Sequence, residues 1–338
     1  MTIDVTDYKR ADFQSAQEVR WCPGCGDYTI LATVQNFLAE MGIARENHVF
    51  ISGIGCSSRF PYYVNTYGMH GIHGRAPAIA SGVASANPDL TVWVITGDGD
   101  GLSIGGNHLI HALRRNVNLK ILLFNNQIYG LTKGQYSPTS ERGKRTKTSP
   151  MGSIDYPFNP VSLALGAEAT FVARTIDMDR THMTEVLEAA AKHRGTAFIE
   201  IYQNCNVFND KAFAALTSRE TRDENRVYLE HGKPIVFGPN GEHGIRMGEL
   251  GAEIVDVSTV GIDAVQVHNV EDPQPGVAFA LSRLSHGPYG PTPLGIFRDV
   301  ERPVYEDLMV GQIDEAQAHK GTGDLAALLR SGGSWTTE

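Results

Sequence analysis

Three short runs constrain this chain more than anything else in it: residues 49–52 (VFIS), 91–96 (TVWVIT) and 120–124 (KILLF). Each is almost wholly apolar and ends in a glycine-rich or amide-rich turn, and a fourth run, 197–203 (AFIEIYQ), leads straight into Asn204 and Cys205. Runs of this length and character read as strands buried on both faces, which requires a parallel sheet covered by helices. Residues 27–41 repeat apolar side chains at Ile30, Leu31, Val34, Phe37, Leu38 and Met41. That is the spacing of one helix face, with Asp27 expected as its N-cap and Gly42 as its stop. Further helices are expected at 76–86, 105–115 and 183–194, the last closing with Lys192, His193 and Arg194 before Gly195. Segment 76–86 is rich in Ala, Ser and Gly, so its backbone can approach a neighbour closely and is a candidate subunit contact. The fold class is therefore α/β, a mostly parallel sheet with helices on both faces.

At about 150 residues per domain, 338 residues make roughly two domains. With 41% hydrophobic and 20% charged residues the chain is globular rather than disordered. A formal charge of -9 argues against nucleic acid and anionic lipid as partners. No apolar window is long enough to span a membrane, and MTIDVTDYKRADF has no basic-then-apolar signal pattern. A cytoplasmic protein is expected. Past about residue 230 the texture changes to Gly/Pro-punctuated stretches such as GKPIVFGPNGEHG and SHGPYGPTPLG. We read 1–230 as the α/β domain and 231–338 as an irregular C-terminal extension for subunit contacts, with a frayed end.

Chemistry concentrates where the second run ends. Gly97-Asp98-Gly99 is followed after 25 residues by Asn125-Asn126, at the end of the next run. Carboxyl ends of adjacent parallel strands border the crevice where open α/β sheets bind ligands. Glycines there admit a phosphate, and Asp98 with the Asn126 side chain offers hard oxygen ligands for Mg²⁺. A Gly-Asp-Gly alone is ordinary turn chemistry; its spacing to Asn-Asn gives it weight.

The four cysteines are Cys22, Cys25, Cys56 and Cys205. Cys22-Pro23-Gly24-Cys25 fits a chelating turn, and Cys56 and Cys205 each follow an expected strand, so four thiolates can meet at one centre. On spacing alone an iron–sulfur cluster, a structural zinc, a redox pair and buried free thiols all remain open.

GDG, a stretch of this length, then NN resembles the thiamine diphosphate motif. Together with WCPGCG, GIGCSSRFPYY, HGIHGRAPAIASGV and GDGDGLSIGGNH in this order, it resembles the β subunits of 2-oxoacid:ferredoxin oxidoreductases. The resemblance covers the chain to about residue 230 and implies the thiamine diphosphate-binding fold. It implies Asp98, Asn126 and the Ile128 carbonyl as Mg²⁺ ligands, and Gly99, Asp100, Gly130 and Leu131 along the diphosphate. Ile54, Gly55, Cys56, Ser57 and His73 would touch the cofactor, and Cys22, Cys25, Cys56 and Cys205 would hold one [4Fe-4S] cluster. The implied reaction is the reversible, coenzyme A-dependent oxidative decarboxylation of a 2-oxoacid, with electrons passing to ferredoxin. 2-Oxoglutarate is favoured, giving succinyl-CoA and CO2, ahead of pyruvate and branched-chain acids. Absence of extra ferredoxin-like cysteine runs favours the split-subunit type over the fused pyruvate enzymes. The pyrimidine half would come from an α subunit, in an α2β2 assembly.

Arg59, three residues past Cys56, is the candidate clamp for a substrate carboxylate, since a guanidinium matches that group bidentately. His73 is the other candidate catalytic residue, through a hydrogen bond to phosphate or substrate. His108 and His111 read as surface or packing residues, and Arg142, Lys144, Arg145 and Lys147 as a solvated basic loop that could face an acidic partner. Two rival functions keep parts of this pattern: a non-redox thiamine enzyme with a structural zinc, and a non-catalytic iron–sulfur electron carrier.

Overall fold

The apolar runs become the centre of one eight-stranded sheet. A computed structural model of the protein describes residues 7–284 and 290–337. Residues 1–6 and 285–289, which include the start of the N-terminal stretch and the first five residues of SHGPYGPTPLG, lie outside the described residues, as does 338. The strands are β1 (His48–Ser52), β2 (Tyr67–His70), β3 (Thr91–Gly97), β4 (Leu119–Asn125), β5 (Phe171–Ile176), β6 (Ala197–Tyr202), β7 (Arg226–Leu229), β8 (Val236–Phe237), β9 (His243–Gly248), β10 (Gly251–Asp256) and β11 (Thr292–Asp299). The main sheet runs β2-β1-β3-β4-β6-β5-β11-β7, and β10-β9-β8 form a small second sheet. From β2 to β5 every pairing is parallel; only β11 against β5 is antiparallel in the main sheet.

Strand alternation splits the core into two layers. On β3, Val92 and Val94 join one cluster with helices Ala76–Ala86, Gly106–Arg115 and Pro160–Gly166. Trp93 and Ile95 join the other, with helices Asp27–Glu40 and Arg180–Lys192. Trp93 is fully buried and stacks on Phe50, ring centroids 5.8 Å apart, which adds about 1 kcal/mol beyond area burial. In helix Ala76–Ala86 the small side chains Ala76, Ala80 and Ala84 are spent on this packing within the chain.

Three expectations change. Asp27 is not the N-cap: Gly26 holds that position, and Asp27 lies inside the first turn, 1% exposed. Helix Arg180–Lys192 starts three residues before the apolar pattern, because the Asp179 side chain caps it by accepting the His182 amide. The boundary at 230 does not separate a sheet from an irregular arm. β11 enters the main sheet between β5 and β7, and the segment before it forms the second sheet. The end is helical as well, since Asp324 accepts the Ala327 amide and caps helix Leu325–Arg330. Among the described residues no helix is long and apolar enough to cross a membrane.

Candidate cofactor and metal site

Because β1, β3, β4 and β6 are neighbours and parallel, their carboxyl ends share one rim. The loops leaving that rim enclose a cavity of about 100 Å³. Ile54, Gly55, Cys56 and Ser57 reach it from β1, Asp98, Gly99 and Asp100 from β3, and Asn126, Ile128, Gly130 and Leu131 from β4, with His73 at the side. The structure thus brings every candidate cofactor and magnesium residue around one space. It is small beside the roughly 300–1,000 Å³ of a typical small-molecule pocket, enough for a metal and phosphates but not for a large two-ring molecule.

Asp98 is 2% exposed, and burial pushes its carboxyl up to about 6, opposed by hydrogen bonds from Ser137 and Thr139. Both hydroxyls donate to Oδ2, each at 2.5 Å. Among the described residues no cation pairs with it. A buried carboxylate without a counter-ion, beside an amide oxygen, fits a hard divalent ion. Asn126 Oδ1 accepts the Ile128 amide at 3.1 Å, which fixes the turn that carries both residues. Asn125 donates through Nδ2 to Glu200 at 2.7 Å, and its Oδ1 accepts the Gln127 amide at 3.1 Å.

Asp100, two residues on, is equally buried but fully engaged. Its Oδ1 accepts the Ile54 amide (3.1 Å), the Gly74 amide (2.7 Å) and His73 Nδ1 (2.5 Å), and Oδ2 accepts the Thr96 hydroxyl (2.7 Å). Asp100 lines the cavity, and its carboxylate ties two loops and one imidazole together. With Nδ1 taken, Nε2 is the ring nitrogen left for the cavity. The glycines serve close approach: a Cβ on Gly99 would collide with the Tyr129 ring, and one on Gly53 with the Asp100 carboxylate.

The thiols gather on the same rim. Cys25 donates its amide to the Cys22 carbonyl at 3.0 Å, and Gln203 donates to Cys25 Sγ at 3.2 Å. Trp21 Nε1 donates to the Cys56 carbonyl at 2.6 Å, and Asn206 to the Pro23 carbonyl at 2.7 Å. A Cβ on Gly130 would stand 3.4 Å from Cys56 Sγ and 3.7 Å from Cys205 Sγ. Burial pushes the Cys56 thiol up to about 12, with Asp27, Cys205 and Cys22 adding and Arg59 opposing; burial likewise raises Cys25. Crowded thiols of this kind favour a metal centre that takes their protons. Among the described residues no three of them lie within 4.8 Å of one another, whereas a tetrahedral zinc with bonds of about 2.3 Å holds its sulfurs ~3.8 Å apart.

Arg59 is half-buried in the 3-10 turn Ser57–Tyr62, near Cys56, and does not line the cavity. Among the described residues it has no ion-pair partner. In the basic loop, Arg142 lies over the Tyr156 ring and Lys144 donates to Asn209. Sequence reasoning missed Tyr129 and Thr132 in the cavity wall, and Ser137 and Thr139 behind Asp98. Tyr129, between motif positions, was within reach; loop hydroxyls carry no pattern.

Residues 53–201 match the family described as thiamine pyrophosphate enzyme, C-terminal TPP binding domain. The 2-oxoglutarate oxidoreductase subunit KorB of Mycobacterium tuberculosis is 61% identical over 98% of this chain and 89% of its own length. The 2-oxoglutarate synthase subunit KorB of Archaeoglobus fulgidus is 39% identical over 61% of this chain and 75% of its own. Among solved structures, the 2-oxoglutarate:ferredoxin oxidoreductase of Magnetococcus marinus, with 2-oxoglutarate, coenzyme A and succinyl-CoA bound, aligns with a TM-score of 0.77. That alignment has 33% identity and covers 97% of both chains. The chain belongs to the β-subunit family of the 2-oxoacid:ferredoxin oxidoreductases, in its 2-oxoglutarate branch.

Proposed function

We propose that this chain, with an α subunit, catalyses the reversible, coenzyme A-dependent oxidative decarboxylation of 2-oxoglutarate to succinyl-CoA and CO2, passing electrons through one [4Fe-4S] cluster to ferredoxin. One observation carries the reading: Cys56 lines the same cavity as Asp98 and Asn126, so the thiol group and the magnesium-type ligands share a wall. When bound, thiamine diphosphate supplies the electron sink that decarboxylation needs, and the cluster accepts electrons singly. Asp98, Asn126 and the Ile128 carbonyl would hold Mg²⁺, with Gly99 and Gly130 admitting the diphosphate. Cys22, Cys25, Cys56 and Cys205 would hold the cluster.

The chain's own groups then have definite tasks. His73, its Nδ1 held by Asp100, offers Nε2 to hold a proton against a phosphate or substrate oxygen. Arg59, without an ion-pair partner among the described residues, brings a guanidinium to the cluster side and would bind a substrate carboxylate. The small cavity supports a cofactor completed at an interface, with the pyrimidine half on the α subunit of an α2β2 assembly. The test is anaerobic co-expression with that subunit and an assay of low-potential dye reduction. The expected result is reduction that needs both 2-oxoglutarate and coenzyme A, outpaces pyruvate and branched-chain acids, and vanishes for the isolated chain. Full activity without the α subunit, or none with it, contradicts the proposal.

A further inference from the structure

Behind Asp98 lies the short loop 137–140 (Ser-Pro-Thr-Ser), whose three hydroxyl residues are at most 4% exposed. Each hydroxyl has one proton to give, and the distances assign each a destination. Ser137 Oγ and Thr139 Oγ1 both donate to Asp98 Oδ2 at 2.5 Å, with Asn125 Oδ1 farther from Thr139, at 2.9 Å. Ser140 Oγ donates to the Gln127 carbonyl at 2.6 Å and accepts the Ser137 amide at 2.8 Å. The loop is tied from outside by the Phe158 amide, which donates to the Pro138 carbonyl at 2.8 Å. One loop therefore braces the Asp98 carboxylate and the turn that carries Asn126 and Ile128.

A lone carboxylate can rotate and exchange its oxygens. Two charge-assisted donors on one oxygen remove that freedom and leave the other oxygen to a metal. We infer that Ser137 and Thr139 are positioning residues of the metal site, a two-hydroxyl clamp that fixes which oxygen of Asp98 meets the divalent cation. The inference rests on Asp98 being the Mg²⁺ ligand of the proposed function.

If the hydroxyls only satisfied a buried carboxylate, losing one would weaken the fold and leave metal affinity alone. The full-length chain, assembled with its α subunit and stripped of cofactor, is titrated with Mg²⁺ at fixed thiamine diphosphate, and binding and melting temperature are read together. Thr139→Val, and separately Ser137→Ala, should raise half-saturating Mg²⁺ by about 10–100-fold, with full cofactor binding restored at excess Mg²⁺. Thr139→Ser, which keeps the hydroxyl, should stay at the wild-type value. An unchanged Mg²⁺ requirement in both variants, beside a wild-type protein that binds normally, overturns the clamp and leaves the proposed function standing. So does a defect shared by Thr139→Ser, or one that follows melting temperature rather than Mg²⁺. A wild-type protein with no Mg²⁺-dependent binding overturns both.

Discussion

The two halves of the main sheet bury charge in opposite ways. On the β1-β3-β4 side, Asp98 lies under hydroxyls with no cation near it among the described residues, its carboxyl pushed up by burial. On the β6-β5 side, Arg174 and Glu200, 1% and 0% exposed, face each other at 2.6 Å across neighbouring strands. Charge neutralised within the chain is architecture, while buried charge left without a counter-ion marks a place for something the chain does not contain. The contrast breaks most sharply at Asp98. Asp98→Ala should abolish Mg²⁺-dependent thiamine diphosphate binding, measured calorimetrically, with the melting curve of the cofactor-free protein little changed.

Arg174→Met should do the reverse, costing about 3–5 kcal/mol of stability by stranding Glu200. Urea denaturation reads this, and adding Glu200→Gln should recover much of the loss. An Arg174→Met protein of unaltered stability would mean that the pair is not neutralising buried charge.

His48 sharpens the comparison as a third case, a buried group kept neutral. It is 0% exposed, and burial pushes its imidazole down to about 4 from 6.5. The unfolded chain then takes up the proton first as pH falls. Stability from this residue is complete above about pH 6.5, is lost progressively below it, and levels off near 4. The loss amounts to about 3 kcal/mol. His48→Phe should flatten that part of the stability profile, followed by thermal melts across the range.

The smallest effect concerns Arg59, a cation without an ion-pair partner among the described residues. Arg59→Ala should raise KM for the 2-oxoacid roughly 30-fold, about 2 kcal/mol, with kcat far less affected. An unchanged KM for every 2-oxoacid tested would return Arg59 to the surface.

The same division decides what the sequence could reveal. β1, β3 and β4 follow mostly apolar runs and β6 one broken only at Glu200, so their ends fall within about one residue of the sequence reading, and with them the rim that gathers the site. β5 (FVARTI) escaped because Arg174 and Thr175 together cut its apolar run to three residues, and the partner of Arg174 on β6 is visible only once the strands pair. β2 is four residues long and wholly exposed, so burial left no pattern to read. β11 (TPLGIFRD) carries a proline and a glycine that signal a turn, yet it is a sheet strand. At the site, spacing found Asp98, Asn126 and the four cysteines. It could not separate the role of Asp98 from that of Asp100, because which carboxylate is saturated depends on loops far away in sequence, at 53–54, 73–74 and 137–139.

The central claim is that one rim holds a diphosphate cofactor and an iron–sulfur cluster side by side, and cofactor content tests it most directly. Iron, acid-labile sulfide, zinc and thiamine diphosphate are measured per chain in the αβ protein purified without oxygen, for the wild type and for Cys205→Ser. The prediction is about four irons, four sulfides and one thiamine diphosphate per chain, with iron and sulfide largely lost in Cys205→Ser. Zinc in place of iron, or a Cys205→Ser protein with full iron and sulfide and an unchanged absorbance spectrum, would contradict it.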